Sequence, residues 1–342
     1  MLSKRKIQIF KAIVEEFIAT AEPVGSKTLA EKYGITYSSA TIRSEMNELE
    51  KMGLLEKTHT SSGRIPSTEG YRYYVENLME ARLDEDFAIA VRSVLEDARA
   101  KTEEVIKRSV DILSQMTNMT TLVLGPDANE QRLEHIKLFP MDDRSAVAVF
   151  ITDTGHTENK VFHFEDKVTV ADIQSCCDIL NDRLKGTLIR DVVEKMQVIK
   201  PILASSIERH EVLFSAFVDA FVRFANDKMY FSGQSNMLYQ PDFADIEKLK
   251  ELMSMLEDHQ IWRDISQGKS EMVLKTSETS QLTWINDLAV VSSKFRLNDG
   301  EEAQLMLVGP SRMDYDKIVS LIEYLASCIE EIYFKGGNHE EE

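Results

Sequence analysis

Two short stretches near the start of the chain hold the side chains best suited to recognition chemistry. The first comprises Tyr37, Ser38, Ser39, Thr41, Arg43, Ser44 and Asn47. Arg43 and Asn47 stand four apart, a spacing that places both on one face of a helix. Arginine matches the O6/N7 edge of guanine and asparagine the N6/N7 edge of adenine, while hydroxyls and helix-start amides suit phosphate oxygens. Glu45, Glu48 and Glu50 would oppose phosphate, but at roughly 100° per residue Glu45 and Glu48 fall to the flanks of that face. The second stretch runs from Lys57 to Ser67 and includes His59, Thr60, Ser61, Ser62, Gly63 and Arg64, with no acid. Short hydroxyl donors, a flexible glycine and an arginine are what a loop needs to lie along a sugar–phosphate backbone, with Arg64 reaching a phosphate or the minor groove. Arg72 extends this set; Tyr71 and Tyr73 read as core.

The charge distribution agrees with this. The chain of 342 residues has a formal net charge of −18. Its first eighty residues hold eleven Lys and Arg against eleven Glu and no Asp, so the whole acidic excess lies beyond them. A segment of zero net charge still presents a basic face if its acids point elsewhere, and phosphates respond to the local face within a Debye length of about 8 Å. No apolar run approaches the roughly 18–20 residues of a membrane span, and the N-terminus lacks an apolar signal core. Three cysteines without Cys-x-x-Cys spacing build no disulfide framework, so a reduced, cytoplasmic setting is expected. On the helix that carries them, Cys176 is expected inward and Cys177 outward, or the reverse.

The elements that must position these residues read as follows. Ile7, Phe10, Ile13, Val14, Phe17 and Ile18 recur at helical spacing in a helix from Ser3 to Ala19. A short second helix spans Ser26 to Lys32, Gly34 opens a turn, and Ser38 or Ser39 caps a third helix ending at Gly53. Leu54 to Thr58 is a strand and His59 to Ser67 a loop. Helix, helix, turn, helix, strand and loop is the order of a winged helix-turn-helix. Phe87 to Met116 reads as one long amphipathic helix, a connector or a dimer seam. Strands follow at Thr121, Leu133, Ala146 and Asn159, then helices Val170–Leu184, 189–198 and 202–224. A last group of strands at Lys228, Met272, Ala289 and Ala303 precedes a closing helix from Asp314 to Phe334. Asn298-Asp299-Gly300 is a hairpin turn. Leu122 to Pro126 echoes Met306 to Pro310, as if two neighbouring strands ended at one edge.

These motifs resemble the family of the bacterial heat-inducible transcription repressor HrcA. The resemblance is carried by the stretches 22–30, 38–46, 59–66 and 70–75, and later by 232–236, Gln240-Pro241 and 309–315. Ser44 and Ser62 depart from it, where Asn and Ala are familiar. The resemblance implies an α+β, multidomain architecture. A winged helix-turn-helix would occupy 1–82, and a GAF-like domain with a connector helix 83–131 and 227–335. A dimerising α/β domain would be inserted at 132–226, and 336–342 would be a disordered tail. It also implies a homodimer on double-stranded DNA, at the inverted-repeat operator CIRCE upstream of chaperone operons, and control by a GroEL-type chaperonin.

Other classes are less well served by the sequence. No phosphate-binding glycine loop, nucleophile elbow or metal-spaced His and Cys cluster occurs, so no catalytic residue, cofactor or metal is expected. A ligand-gated regulator would place a small molecule in the GAF-like domain, with Asn236 or Arg312 lining its pocket. A winged helix used for protein contacts alone has no need of the hydroxyl- and arginine-bearing loop.

Overall fold

A computed structural model describes residues 2–58, 63–95, 102–125, 128–142, 145–163, 168–225, 229–270, 272–297 and 302–336. The chain divides into two compact units, one of Met1–Leu124, Met229–Asn298 and the C-terminal residues from Glu302, the other of Gly125–Lys228.

The first unit opens with α1 (Lys4–Thr20), whose first turn is closed by the Ser3 side chain accepting from the Lys6 amide. α2 (Ser26–Lys32) and α3 (Ser39–Lys51) follow. Gly34 makes the turn between them at φ +59°, in the left-handed region that side chains with a Cβ avoid. Antiparallel β1 (Leu55–Lys57) and β2 (Arg64–Pro66) come next, then α4 (Thr68–Asn77). The apolar stripes of the helices meet in one core through Phe10, Ile13, Leu29, Ile42, Met46, Leu49 and Tyr74.

The long helix expected over Phe87–Met116 is instead two: α5 (Glu85–Leu95) and α6 (Thr102–Thr117) pack against each other and against the last helix of the chain. Each is one amphipathic stripe, and folding them side by side buries Phe87, Val91, Val110 and Leu113 on a common core. Strand β3 (Thr120–Leu124) closes this part.

In the second unit β4 (Leu133–Asp142), β5 (Ser145–Thr152) and β6 (Thr157–His163) form an antiparallel sheet in sequence order. Helices α7 (Val170–Leu184), α8 (Ile189–Ser206) and α9 (His210–Ala225) supply the rest of its core. α8 runs through Pro201, where a break was expected; Met196, Ile199 and Leu203 on its buried stripe hold the turn on either side. Cys176 and Cys177 are both buried, correcting the expectation that one faces solvent. α7 is covered by β4 on one side and by α8 and α9 on others, so adjacent side chains both find core. Burial pushes both thiols up, Cys177 to about 12, which removes thiolate chemistry at neutral pH.

The chain returns to the first unit with β7 (Met229–Ser232), α10 (Ile246–Glu257) and α11 (His259–Ser266). Then come β8 (Met272–Lys275), β9 (Ser280–Ile285), β10 (Leu288–Arg296), β11 (Glu302–Pro310) and α12 (Tyr315–Gly336). The strands make one antiparallel sheet in the order β7-β3-β11-β10-β9-β8. Both faces are covered. Leu305 and Leu307 join the core that holds Leu321 and Leu325 of α12, while Met306 and Val308 join that of Leu252, Leu256 and Trp262. That is why these strands read as continuous apolar runs rather than alternating ones. β3 and β11 are neighbours, as their echoing sequences suggest, but antiparallel, with Leu124 opposite Gln304 and Thr120 opposite Val308. Their C-terminal ends therefore lie at opposite edges. The Asn298–Gly300 turn and the tail from 337 lie outside the described residues.

The helical N-terminal part is tied to the sheet by Asp316, at the start of α12. Its carboxylate accepts from the Tyr74 hydroxyl at 3.0 Å and the Glu80 amide at 3.1 Å. Burial, first, and this carboxylate, second, push the Tyr74 phenol far up. Asp316→Ala leaves the buried Tyr74 hydroxyl and the Glu80 amide without this acceptor, and is expected to cost about 2 kcal/mol in urea unfolding. A cost below about 0.5 kcal/mol would make the tie incidental.

Candidate nucleic-acid interface

Ser38 begins the site: its hydroxyl accepts from the Thr41 amide at 3.2 Å and lies 2.9 Å from the Thr41 hydroxyl, capping α3. Ser39 is turned to Ser26 of α2, their hydroxyls 2.9 Å apart, so it joins the two helices. Tyr37 is exposed and lies beneath the Arg5 guanidinium, 5.6 Å from its ring centre. Arg43, Ser44 and Asn47 are exposed along α3, while Ile42, Met46 and Leu49 face the core.

Two of the three acids of α3 are turned away from this face, and the third, Glu50, is paired with Arg64. Glu45 is buried and paired with Arg5, with Lys6 at 3.8 Å. Glu48 pairs with Lys6 at 2.6 Å, an interaction that holds its carboxyl below the usual range. These contacts lie on the α1 side of the helix. The same neutralisation recurs across the segment: Lys11 with Glu80, Lys32 with Glu16, and Arg72 with Glu76. Arg72 is thus engaged along α4, at 3.1 Å from Glu76, rather than projecting on its own.

Arg64 departs furthest from expectation. It is 9% exposed and turned inward. Its Nε and Nη2 both lie 2.7 Å from Glu50 Oε2, its Nη2 donates to Asn47 Oδ1 at 2.9 Å, and its Nη1 to the Gly63 carbonyl at 3.3 Å. It clamps β2 to α3. Gly63 explains how the strand gets so close: a Cβ there would stand 2.7 Å from the Pro23 carbonyl oxygen. His59, Thr60, Ser61 and Ser62 lie outside the described residues.

These elements enclose a cleft of about 510 Å³ lined by Gly25, Ser26, Lys27, Arg43, Met46, Asn47, Lys57 and Arg64. Lys27, Arg43 and Lys57 are exposed, and among the described residues none of the three has a carboxylate partner. Lys27 was not singled out from the sequence. Its signal is its place one residue after the start of α2, which only the packing of α2 against α3 brings beside Arg43.

A family model described as the HrcA protein C-terminal domain matches residues 103–319. The heat-inducible transcription repressor HrcA of Bacillus pumilus (strain SAFR-032) is 36% identical over 333 residues, covering 95% of this chain and 96% of that protein. The chain belongs to the HrcA family of transcription repressors. A crystal structure of a hypothetical protein, solved at 2.2 Å resolution, shares the fold of this HrcA-family chain with a TM-score of 0.61 and 21% identity, over 98% of this chain and 99% of that one.

Of the two residues expected to line a ligand pocket in this HrcA-family fold, Arg312 lines a cleft of about 230 Å³ with Phe17, Tyr71 and Asp242, and both make internal hydrogen bonds. Asn236 donates to the Ser114 hydroxyl at 3.1 Å and the Met119 carbonyl at 3.2 Å. Arg312 pairs with Asp242 at 2.8 Å and donates to the Ile18 carbonyl at 3.2 Å, which ties α1 to the end of β11. Among the described residues no group of His, Cys, Asp and Glu is arranged to hold a metal, and no helix is long and apolar enough to cross a membrane.

Proposed function

We propose that this repressor binds double-stranded DNA with residues 1–82 acting as a winged helix-turn-helix. α3 enters the major groove, and Arg43, Ser44 and Asn47 meet base edges. Tyr37, Ser38, Thr41, Lys27, Lys57 and the loop from His59 to Ser62 meet the sugar–phosphate backbone. The observation that carries this reading is the cleft at which Lys27, Arg43 and Lys57 converge without carboxylate partners among the described residues. Ser39 and Arg64 support the surface from behind, and Arg72 flanks it.

The remaining assignments rest on the family. The GAF-like domain takes 83–131 and 227–335, and the dimerising insert 132–226. The homodimer sits across the two halves of the inverted repeat CIRCE, since a two-fold protein matches a palindromic site. Occupation of the operator excludes polymerase from chaperone genes, and a GroEL-type chaperonin keeps the repressor competent.

Fluorescence anisotropy at one near-physiological salt concentration tests this, with the inverted-repeat duplex against a scrambled duplex of equal length. A preference of about 10³-fold or more is expected. Equal weak binding to both, with and without chaperonin, would refute operator recognition. Arg43→Ala is expected to cost roughly 1–3 kcal/mol on the operator and to relax base preference at one position in each half-site. Unchanged discrimination would remove Arg43 from base contact.

A further inference from the structure

Apart from the cleft at α3, one of about 660 Å³ lies between α10, the start of α11 and the turn from β9 to β10. Its floor is apolar. Phe243, Leu252 and Leu288 are buried there, and Met255, Ile261 and Ile285 are half-buried. Local signals set its walls. Asp245 caps α10, accepting from the Glu247 amide at 2.8 Å, and Asp258 caps α11, accepting from the Gln260 amide at 2.9 Å. Asn286 makes the turn at φ +53°, in the left-handed region that asparagine enters more readily than most side chains. An apolar floor of this size beside a few polar groups has the dimensions of a site for a small organic molecule.

The rim decides the charge of the occupant. Lys248 is the one cation among the lining residues, and it is paired with Asp287 on the same rim. Glu251 and Asp258 line the cleft as well, and among the described residues neither has a cationic partner. We propose that this cleft binds a small organic cation, an amine on an apolar ring or short chain, with its body on the apolar floor and its ammonium at Glu251 and Asp258. An ammonium carries donors only and a carboxylate acceptors only, so the two match. An uncharged molecule of the same shape gains the floor but not the ion pairs, and an anion meets two like charges. Neither Asn236 nor Arg312 lines this cleft, so it is a different place from the one the sequence suggested for a ligand. Lys248, Asn286 and Asp287 also line the cleft of about 230 Å³ to which Glu56, Ile65 and Pro66 of β1 and β2 contribute. The β9–β10 turn therefore stands between the occupant and the N-terminal segment.

The test is a titration of the full-length chain, carrying ¹³C-methyl methionine, followed by NMR. The Met255 signal is assigned with Met255→Leu and reports the floor of the cleft. The probes are tryptamine, tryptophol and indole-3-acetate, which share one ring and differ in charge. Tryptamine is expected to shift the Met255 methyl saturably. Exposed ion pairs are weak, so it should bind about fivefold tighter than tryptophol, with indole-3-acetate weaker than either. Glu251→Gln with Asp258→Asn removes both charges at exposed positions, and asparagine still caps α11. This double variant is expected to bring tryptamine and tryptophol level while leaving tryptophol affinity as it was. Should it fail to fold, Glu251→Gln alone, on the exposed face of α10, is expected to lose about half of the preference on a logarithmic scale. A Met255 methyl that tryptamine does not move overturns the proposal. So does tryptophol or indole-3-acetate binding as tightly as tryptamine, or a folded variant that keeps the original ratio. A Met255 signal that shifts with protein concentration alone would give the cleft to a second copy of the chain, and would overturn it as well.

Discussion

Replacing Lys27, Arg43 and Lys57 together by alanine is expected to lower operator affinity by about 10³-fold or more at near-physiological salt, with the chain still folded. Each cation that leaves a phosphate lowers the dependence of log affinity on log salt by roughly 0.9. The slope should therefore fall by about 2–3 per protomer if all three meet phosphate, and by less if Arg43 meets a base edge. Folding should survive because the three side chains are exposed and pair with no carboxylate among the described residues. Surface changes of that kind usually stay within about 0.5 kcal/mol. Lys4 and Lys51 provide the control: they too are exposed, but they do not line the cleft. If the Lys4 and Lys51 double alanine variant weakened binding as much as the triple variant, net charge rather than the cleft would be responsible.

The second large effect belongs to the other unit. Phe150→Ala is expected to destabilise it by about 3–5 kcal/mol, the usual cost of emptying a phenylalanine site in a packed core. Phe150 is the hub of an aromatic cluster, with ring centres 6.2 Å from Phe217, 4.9 Å from Phe221 and 6.2 Å from Phe224. It joins β5 to α9, so its loss should separate sheet from helix rather than leave a quiet void. Urea unfolding followed by far-UV circular dichroism measures the cost, and limited proteolysis locates it within 125–228. A loss under about 1 kcal/mol would mean that the three partner rings close over the gap.

Much of the local architecture was legible in the sequence. α3 starts at its serine cap, α1 and α7 run close to their apolar periods, and the β10–β11 pairing follows its turn residues. Those signals are short-range and survive in any context. What failed depended on distant neighbours. β9 passed unnoticed because Ser280 and Thr283 are polar residues that the sheet buries: the Ser280 hydroxyl donates to that of Ser293 on β10 at 3.0 Å. β2 was read as loop because its three residues become a strand only against β1. The same holds for the candidate site. Arg43 and Asn47 announce themselves by spacing on one helix. The inward turn of Arg64 needs Glu50 and Asn47 from another element, and the sparing of Lys27 needs α2 laid beside α3. The ion pair of Arg5 with buried Glu45, which turns that acid off the face, joins residues forty apart and leaves no local trace.

The strand order of the larger sheet bears on how the protein is made. β3 lies between β7 and β11, and all of the second unit is synthesised before either neighbour exists. Until β7 leaves the ribosome both backbone edges of β3 stand open, and until β11 follows one of them still does. Pairings of such wide separation form slowly, because a long loop must close before any contact rewards it. The nascent chain therefore passes through a stage with an unpaired apolar strand and one completed unit, a species prone to aggregate. A repressor built this way carries that open strand through every round of synthesis, whatever the temperature.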